Sequence, residues 1–173
     1  MNRKQQVALV VLAIAVVASL GAGWVAQHSY AEQSREFISV PPSAHFWLGT
    51  DELGRDVFSR LLYATRVDLE ISVAAVAASW LIGTSLGLLA GYAGGVIDAI
   101  IMRLVDFVMA FPFYVLIIAL VFVIGSGFGS ILLALIVVGW VSYARIVRGE
   151  VRVVATREYI AAARMTGIRD RSL

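Results

Sequence analysis

The run ISVAAVAASWLIGTSLGLLAGY, residues 71–92, carries no charged side chain. Within it and just beyond, Ser79, Gly83, Gly87, Gly91 and Gly95 recur at every fourth position. On an α-helix that spacing places them near one face, drifting slowly around it. Small residues in such a row let a neighbouring helix pack backbone to backbone. That matters in lipid, where apolar burial gives helices little drive to associate. Lipid-facing glycines without a role are the alternative, and a register this regular argues against it. The stretch therefore predicts a membrane helix with a helix-packing stripe, followed by a tight turn at Gly94-Gly95.

Composition points the same way. Of the 173 residues, 60% are hydrophobic and 15% charged, against roughly 45–50% and 25% in a soluble domain. The chain is read as all-α, a polytopic membrane protein with about four transmembrane helices. Residues 7–25 form the first apolar run, 19 residues long. At 1.5 Å per residue it reaches roughly 28 Å, about one bilayer core. A basic start before an apolar run also describes a cleavable signal peptide. The run is long for one, and Trp24 at its end suits an interfacial anchor. Residues 96–124 give a third helix, kinked or loosened at Phe111-Pro112 because Pro112 cannot donate to the Val108 carbonyl. After a turn at 125–129, residues 130–143 give the fourth, with helix expected to run on through Arg145 and Arg148.

The charges orient these runs. Arg145, Arg148, Arg152, Arg157, Arg164, Arg169 and Arg171 follow the fourth run and mark that end as cytoplasmic by the positive-inside rule. Four spans then place the N-terminus inside too, in agreement with Arg3 and Lys4, and residues 27–66 outside. An arginine cluster also suits nucleic acid. This one lacks interleaved aromatics and abuts a membrane run, so membrane lipid is the expected surroundings and no nucleic-acid partner is expected. Within the third run, Arg103 and Asp106 stand three apart and read either as a structural pair or as part of a pathway, since ionisable groups inside a membrane are costly and often functional.

The external stretch divides at Pro41-Pro42, which forbid helix. Beyond them Asp51 reads as the cap of an amphipathic helix whose apolar positions are Leu53, Val57, Phe58, Leu61 and Leu62. Asp51, Glu52, Arg55, Asp56 and Arg60 form a solvated face with i,i+4 pairs Asp51–Arg55 and Asp56–Arg60, the rival being a catalytic or metal cluster. Near the other end, residues 156–167 read as one short helix. Thr156 is its N-cap, Glu158 lies near the positive end of the dipole and Arg164 near the negative end, and Gly167 takes the C′ position. Ala161, Ala162 and Ala163 leave a surface with almost no side chain, which another protein's groove can approach closely. A surface amphipathic helix is the alternative.

Several chemistries find no support. The chain has no cysteine, which excludes disulfides and thiolates. It has no Gly-x-x-x-x-Gly-Lys-Ser/Thr phosphate loop and no His-Glu-x-x-His spacing. His28 and His45 stand apart in the external stretch, and no Ser/His/Asp set assembles. No metal, no cofactor and no catalytic residues are expected, and the chain is not read as an enzyme.

Two motifs carry a resemblance. Leu48 to Tyr63 is similar almost throughout to the segment before the second membrane helix of C-type dipeptide and oligopeptide permeases, which are subunits of ABC importers. Ala161-Ala162-Ala163 and Gly167 keep the spacing of the family's cytoplasmic loop, Glu-Ala-Ala, three residues, Gly. Here Ala161 stands where the family usually has Glu. Met102 to Asp106 and Ala110 to Pro112 resemble the family as well, whereas Ala64-Thr65-Arg66 replaces its usual Gly-Ala-Arg. The resemblance spans about 48–173 and implies the following.

Residues 1–26 would be an N-terminal transmembrane helix, 27–66 a periplasmic loop, and 67–173 a partial type I ABC importer transmembrane domain. Residues 156–167 would be a coupling helix meeting the ATPase through Glu158, Ala161, Ala162, Ala163 and Gly167. The implied partners are a second permease subunit, ABC ATPase subunits that hydrolyse the ATP, and an extracytoplasmic substrate-binding protein. The implied place is the cell inner membrane. Peptides are the implied cargo, although nickel and glutathione importers share the pattern. Family members continue with about two more membrane helices after this loop, so the chain is expected to be a truncated product, a fragment or half of a split permease. A membrane scaffold without transport would share the hydropathy, but would have no reason to keep both motifs.

Overall fold

The computed structural model describes residues 2–166. Its described residues form helices α1 (Arg3–Leu20), α2 (Ala22–Val25), α3 (Val57–Ala93), α4 (Gly95–Met109), α5 (Phe113–Ile124), α6 (Phe128–Ala155) and α7 (Glu158–Met165). The only strand-like feature among them is an isolated bridge between Thr50 and Asp56. The chain divides into two compact units, residues 1–72 and 73–173.

In the first unit, Asn2 and Gln5 close a capping box at the start of α1. Residues 26–56 contain no helix, but turn hydrogen bonds pin them down. The Thr50 hydroxyl accepts from Val40 N–H and donates to the Phe37 carbonyl. Gly54, at φ +69°, lies so close to Ser34 that a Cβ there would overlap the Ser34 carbonyl oxygen. Only glycine suits both the left-handed backbone and that approach.

The predicted amphipathic helix from Asp51 is corrected. Asp51 sits in a turn, its Oδ1 accepting from Leu53 N–H (2.9 Å) and Arg55 N–H (3.0 Å). Asp56 does the capping, accepting from Phe58 N–H (3.3 Å), Ser59 N–H (3.0 Å) and the Ser59 hydroxyl (2.5 Å). From Val57 the chain is helical without a break for 37 residues, so the expected surface helix and the second membrane run are one helix.

In the second unit, α4 and α5 both pack on α6. Val105, Val141 and Ala144 form a buried cluster with Met102, Val108 and Trp140 around it. Gly94 (φ +61°) and Gly95 (φ +52°) make the turn from α3 into α4. The expected single kinked helix over 96–124 is corrected as well: α4 and α5 are separate helices meeting at 89°. Pro112 has no N–H to continue α4, and its ring disfavours helix at Phe111.

Among the described residues, α1, α3 and α6 are each long and apolar enough to cross a membrane. The count becomes four if the bent α4–α5 pair is one span. Large apolar side chains cover the outside, Trp24 at 95% and Phe122 at 88% exposure being extremes. That surface suits lipid rather than water.

Candidate functional site

The predicted packing residues lie along α3 where it meets α6. A methyl group placed on Gly83 would overlap the Trp140 carbonyl oxygen and lie 2.6 Å from Tyr143 Cβ. On Gly87 it would lie 2.6 Å from the Ala144 carbonyl oxygen, and on Gly91 2.7 Å from Val151 Cβ. Ser79 faces Gly139, whose own added methyl would lie 2.6 Å from the Ser79 hydroxyl. Gly95 departs from the row: it belongs to the turn, with no atom within 4 Å of where its Cβ would be. The stripe ends at Gly91 because the chain must reverse.

The predicted Arg103–Asp106 pair does not form. Asp106 meets Arg145 of α6 at 3.6 Å, and among the described residues no ion pair joins it to Arg103. A stronger contact, absent from the sequence reading, lies two turns away. Asp98, in the first turn of α4, is 10% exposed at its side chain and holds two arginines of α6. The Arg148 guanidinium is bidentate, through Nε to Oδ1 and through Nη2 to Oδ2 at 2.7 Å. Arg152 Nη2 donates to Oδ2 at 2.6 Å. The spacing of Arg148 and Arg152, one helical turn, was the available signal. Their partner lies 50 and 54 residues away, beyond any local pattern.

Thr156 does not cap α7. Its hydroxyl donates back to the Val153 carbonyl, and it closes the C-terminus of α6. α7 starts at Glu158, with only Thr156 and Arg157 between the two helices. Ile160 is buried, whereas Tyr159, Ala162 and Met165 are exposed. Ile160 joins Leu88, Tyr92, Val147, Val151 and Val154 around an apolar groove of about 380 Å³. Ala161 and Ala163 fall within α7. Gly167 lies outside the described residues.

The Leu48–Tyr63 motif forms the turn and cap that open α3. Asp51 pairs with Arg55 as the spacing predicts, at 2.7 Å. The expected Asp56–Arg60 pair is replaced: Arg60 reaches Asp51, and Asp56 faces His28 Nδ1 at 3.7 Å and caps the helix. The Arg55 hydrogen bonds hold the Asp51 carboxyl well below the usual carboxylate range. Among the described residues no three of His, Cys, Asp or Glu gather as metal ligands. The charges of this motif are spent on holding one another.

A membrane-length helix pair with close glycines, an inter-helix charge cluster and a short helix after α6 define a helical membrane protein. Residues 83–173, more than half of the chain, match the family described as binding-protein-dependent transport system inner membrane component, and the chain belongs to that family. This is a family of transporter permeases, which are not themselves catalytic, and it makes the protein a multi-pass inner-membrane protein.

Over 166 residues, 96% of this chain and 52% of the relative, it is 40% identical to the dipeptide transport system permease protein of Bacillus subtilis (strain 168). Over 130 residues it is 46% identical to the glutathione transport system permease protein of Pectobacterium atrosepticum, covering 75% of this chain and 43% of that one. It is 37% identical over 164 residues to the nickel transport system permease protein of Escherichia coli (strain K12), covering 94% and 58%. The chain spans about half the length of the curated relatives it matches.

Proposed function

We propose that this chain serves as a permease subunit of a binding-protein-dependent ABC importer that carries dipeptides or oligopeptides across the inner membrane. The observation that carries the reading is the family match over 83–173, which takes in the glycine contacts of Gly83, Gly87 and Gly91, the broken α4–α5 pair, α6 and α7 together. The likeness to a dipeptide permease supports peptide cargo, as does the likeness to a glutathione permease, glutathione being a tripeptide. The partners are a second permease subunit, ABC ATPase subunits that hydrolyse the ATP, and an extracytoplasmic substrate-binding protein. The N-terminus and residues 145–173 are cytoplasmic and residues 27–66 external in this reading, which the arginine distribution supports.

In this reading residues 156–167 form the coupling element, and the ATPase docks on the small surface around Ala162. Closure of the ATPases displaces α7. With only two residues between α7 and α6, the displacement passes into α6 and the helices packed on it, which switch access to a central pathway. A packing role for Ser79, Gly83, Gly87 and Gly91 belongs to the same proposal: it keeps α3 against α6 while this happens.

The test is disruption of the gene in its own host, with uptake of a labelled dipeptide and of nickel measured side by side, and tagged chain purified from membranes to look for the ATPase. Loss of dipeptide uptake with ATPase recovered is expected. Loss of nickel uptake alone moves the substrate to the metal. No ATPase and no uptake defect leaves a scaffold. Ala162→Trp, which alters an exposed position of α7, is expected to leave membrane insertion intact and to remove the ATPase from the purified complex.

A further inference from the structure

We propose that α4 and α6 move as one rigid body, locked by Asp98, and that the α3–α6 seam is where that body slides. The functional consequence rests on the importer reading above. The lock itself rests on the geometry of two seams that meet on α6.

On the α4 side the contacts are directional. One carboxylate receives hydrogen bonds from Arg148 and from Arg152, on successive turns of α6. A slide by one residue displaces these donors by 1.5 Å and a rotation by one residue turns them through 100°. Either breaks the bidentate geometry, which depends on a planar fork meeting a carboxylate. A second rung, Asp106 to Arg145 at 3.6 Å, lies further along the same two helices. The acids are all on α4 and the bases all on α6. Beside the second rung, Val105 packs with Val141 and Ala144 in the buried cluster. The helix ends add to this: Asp98 lies at the positive end of α4 and Arg152 in the last turn of α6, near its negative end. Asp98 is also nearly enclosed, so releasing it would strand two guanidiniums beside a carboxylate cut off from water.

On the α3 side the contacts have no such register. Gly83, Gly87 and Gly91 meet backbone and Cβ atoms of Trp140, Tyr143, Ala144, Val147 and Val151. Among the described residues no ion pair joins α3 to α6. Tyr143, Val147 and Val151 face the notches of this row, but no directional bond fixes their register, so the seam is held by shape alone and is the one that shears, as in the sliding of closely packed helices. A push on α7 therefore carries α6 and α4 together past α3. α5, which also packs on α6, departs from α4 at 89°.

The test uses cysteine pairs in the complex with its partner subunits, since the chain has no native cysteine. Asp106→Cys with Arg145→Cys reports on α4–α6. Tyr92→Cys with Val154→Cys, which line one groove, reports on α3–α6. Cross-linking is compared between nucleotide-free and vanadate-trapped complexes. The α4–α6 pair is expected to link equally in both states, while the α3–α6 pair changes severalfold.

Adding Asp98→Asn is expected to make the α4–α6 pair state-dependent and to lower transport per assembled complex by about tenfold, within the usual range of coupling between sites. The swap Asp98→Arg with Arg148→Asp, which keeps one acid between two bases, is expected to restore both. Arg152→Gln, which leaves the Arg148 fork in place, gives an intermediate loss and serves where Asp98→Asn does not assemble. Nucleotide-dependent α4–α6 linking with Asp98, Arg148 and Arg152 intact overturns the inference, and so does unchanged linking and transport in Asp98→Asn. A complex that recruits no ATPase overturns the importer reading instead. In that case the effect of Asp98→Asn on α4–α6 linking in the chain alone still decides the lock.

Discussion

Replacing Gly87 by alanine sets two opposing effects against each other, and the structure predicts which wins. Alanine in a helix interior is favoured over glycine by about 0.5–1 kcal/mol. Against that, the new methyl would lie 2.6 Å from the Ala144 carbonyl oxygen, 2.9 Å from Val147 Cβ and 3.1 Å from Ala144 Cα. Comfortable carbon–carbon contact starts near 3.5 Å, so the helices must part by roughly half an ångström. Two of those three neighbours are backbone atoms of α6, which cannot rotate aside.

Overpacking of this kind costs about 1–3 kcal/mol. The net effect of Gly87→Ala is thus a loss of about 0–2.5 kcal/mol. Gly149→Ala supplies the control: it lies within α6, with no atom within 4 Å of the new methyl, and keeps the propensity gain. The two variants differ by about 1–3 kcal/mol, which at roughly 2–4 °C per kcal/mol for a chain of this size is about 2–12 °C in melting temperature. Size-exclusion recovery after heating in detergent measures it. A Gly87→Ala protein that melts with or above Gly149→Ala would refute the close approach of α3 to α6.

Asp51 should make stability depend on pH with a defined sign. Its folded carboxyl titrates well below the ordinary value near 3.9, chiefly because of Arg55. Its contribution is therefore complete above about pH 5 and fades as pH falls through the unfolded value towards the folded one. The stability gap between the native chain and Asp51→Asn should shrink on going from about pH 6 to about pH 3; a gap that does not change would exclude the pairing. Asp56→Ala removes the cap of α3 and should cost about 1–2 kcal/mol, whereas exposed Glu52→Ala should be near neutral, both read by thermal recovery. Ser43→Cys should react with an impermeant thiol reagent applied to intact cells and Tyr159→Cys should not; equal labelling would refute the proposed orientation.

The sequence made the membrane helices legible because the apolar runs are long and uninterrupted, and their period does not depend on partners. It was less reliable at their ends. Asp51 reads as a credible cap, but it is taken up by a turn that Ser34 closes on at Gly54, a contact 20 residues distant in the chain, and Asp56 caps the helix instead. Thr156 is equally suited to end one helix or begin the next, and its hydroxyl donates back to the Val153 carbonyl of α6. Pro112 announced a disturbance. The angle of 89°, with α4 and α5 each packing on α6, is contained in no local rule. Charge pairing failed for the same reason: Arg103 and Asp106 are neighbours in sequence, but α6 offered each α4 acid a partner across the seam. The relatives' spread over dipeptide, glutathione and nickel transport shows how little of the substrate is written in the motifs they share.

The break at Pro112 also says something about the solvent around it. α5 is apolar throughout, and Pro112 provides no side-chain cap for its first turn. The opening N–H groups of a helix have no partner within it, whereas the closing carbonyls of α4 at Asp106, Phe107 and Val108 accept from Ala110 and Phe111 N–H. Hydrocarbon tails supply neither donors nor acceptors, and each such group left dry costs several kcal/mol. A corner of this kind, set between two greasy helices, must therefore be wetted or covered. At hydrocarbon depth, either a thread of water reaches the first N–H groups of α5 or another polypeptide lends them hydrogen bonds.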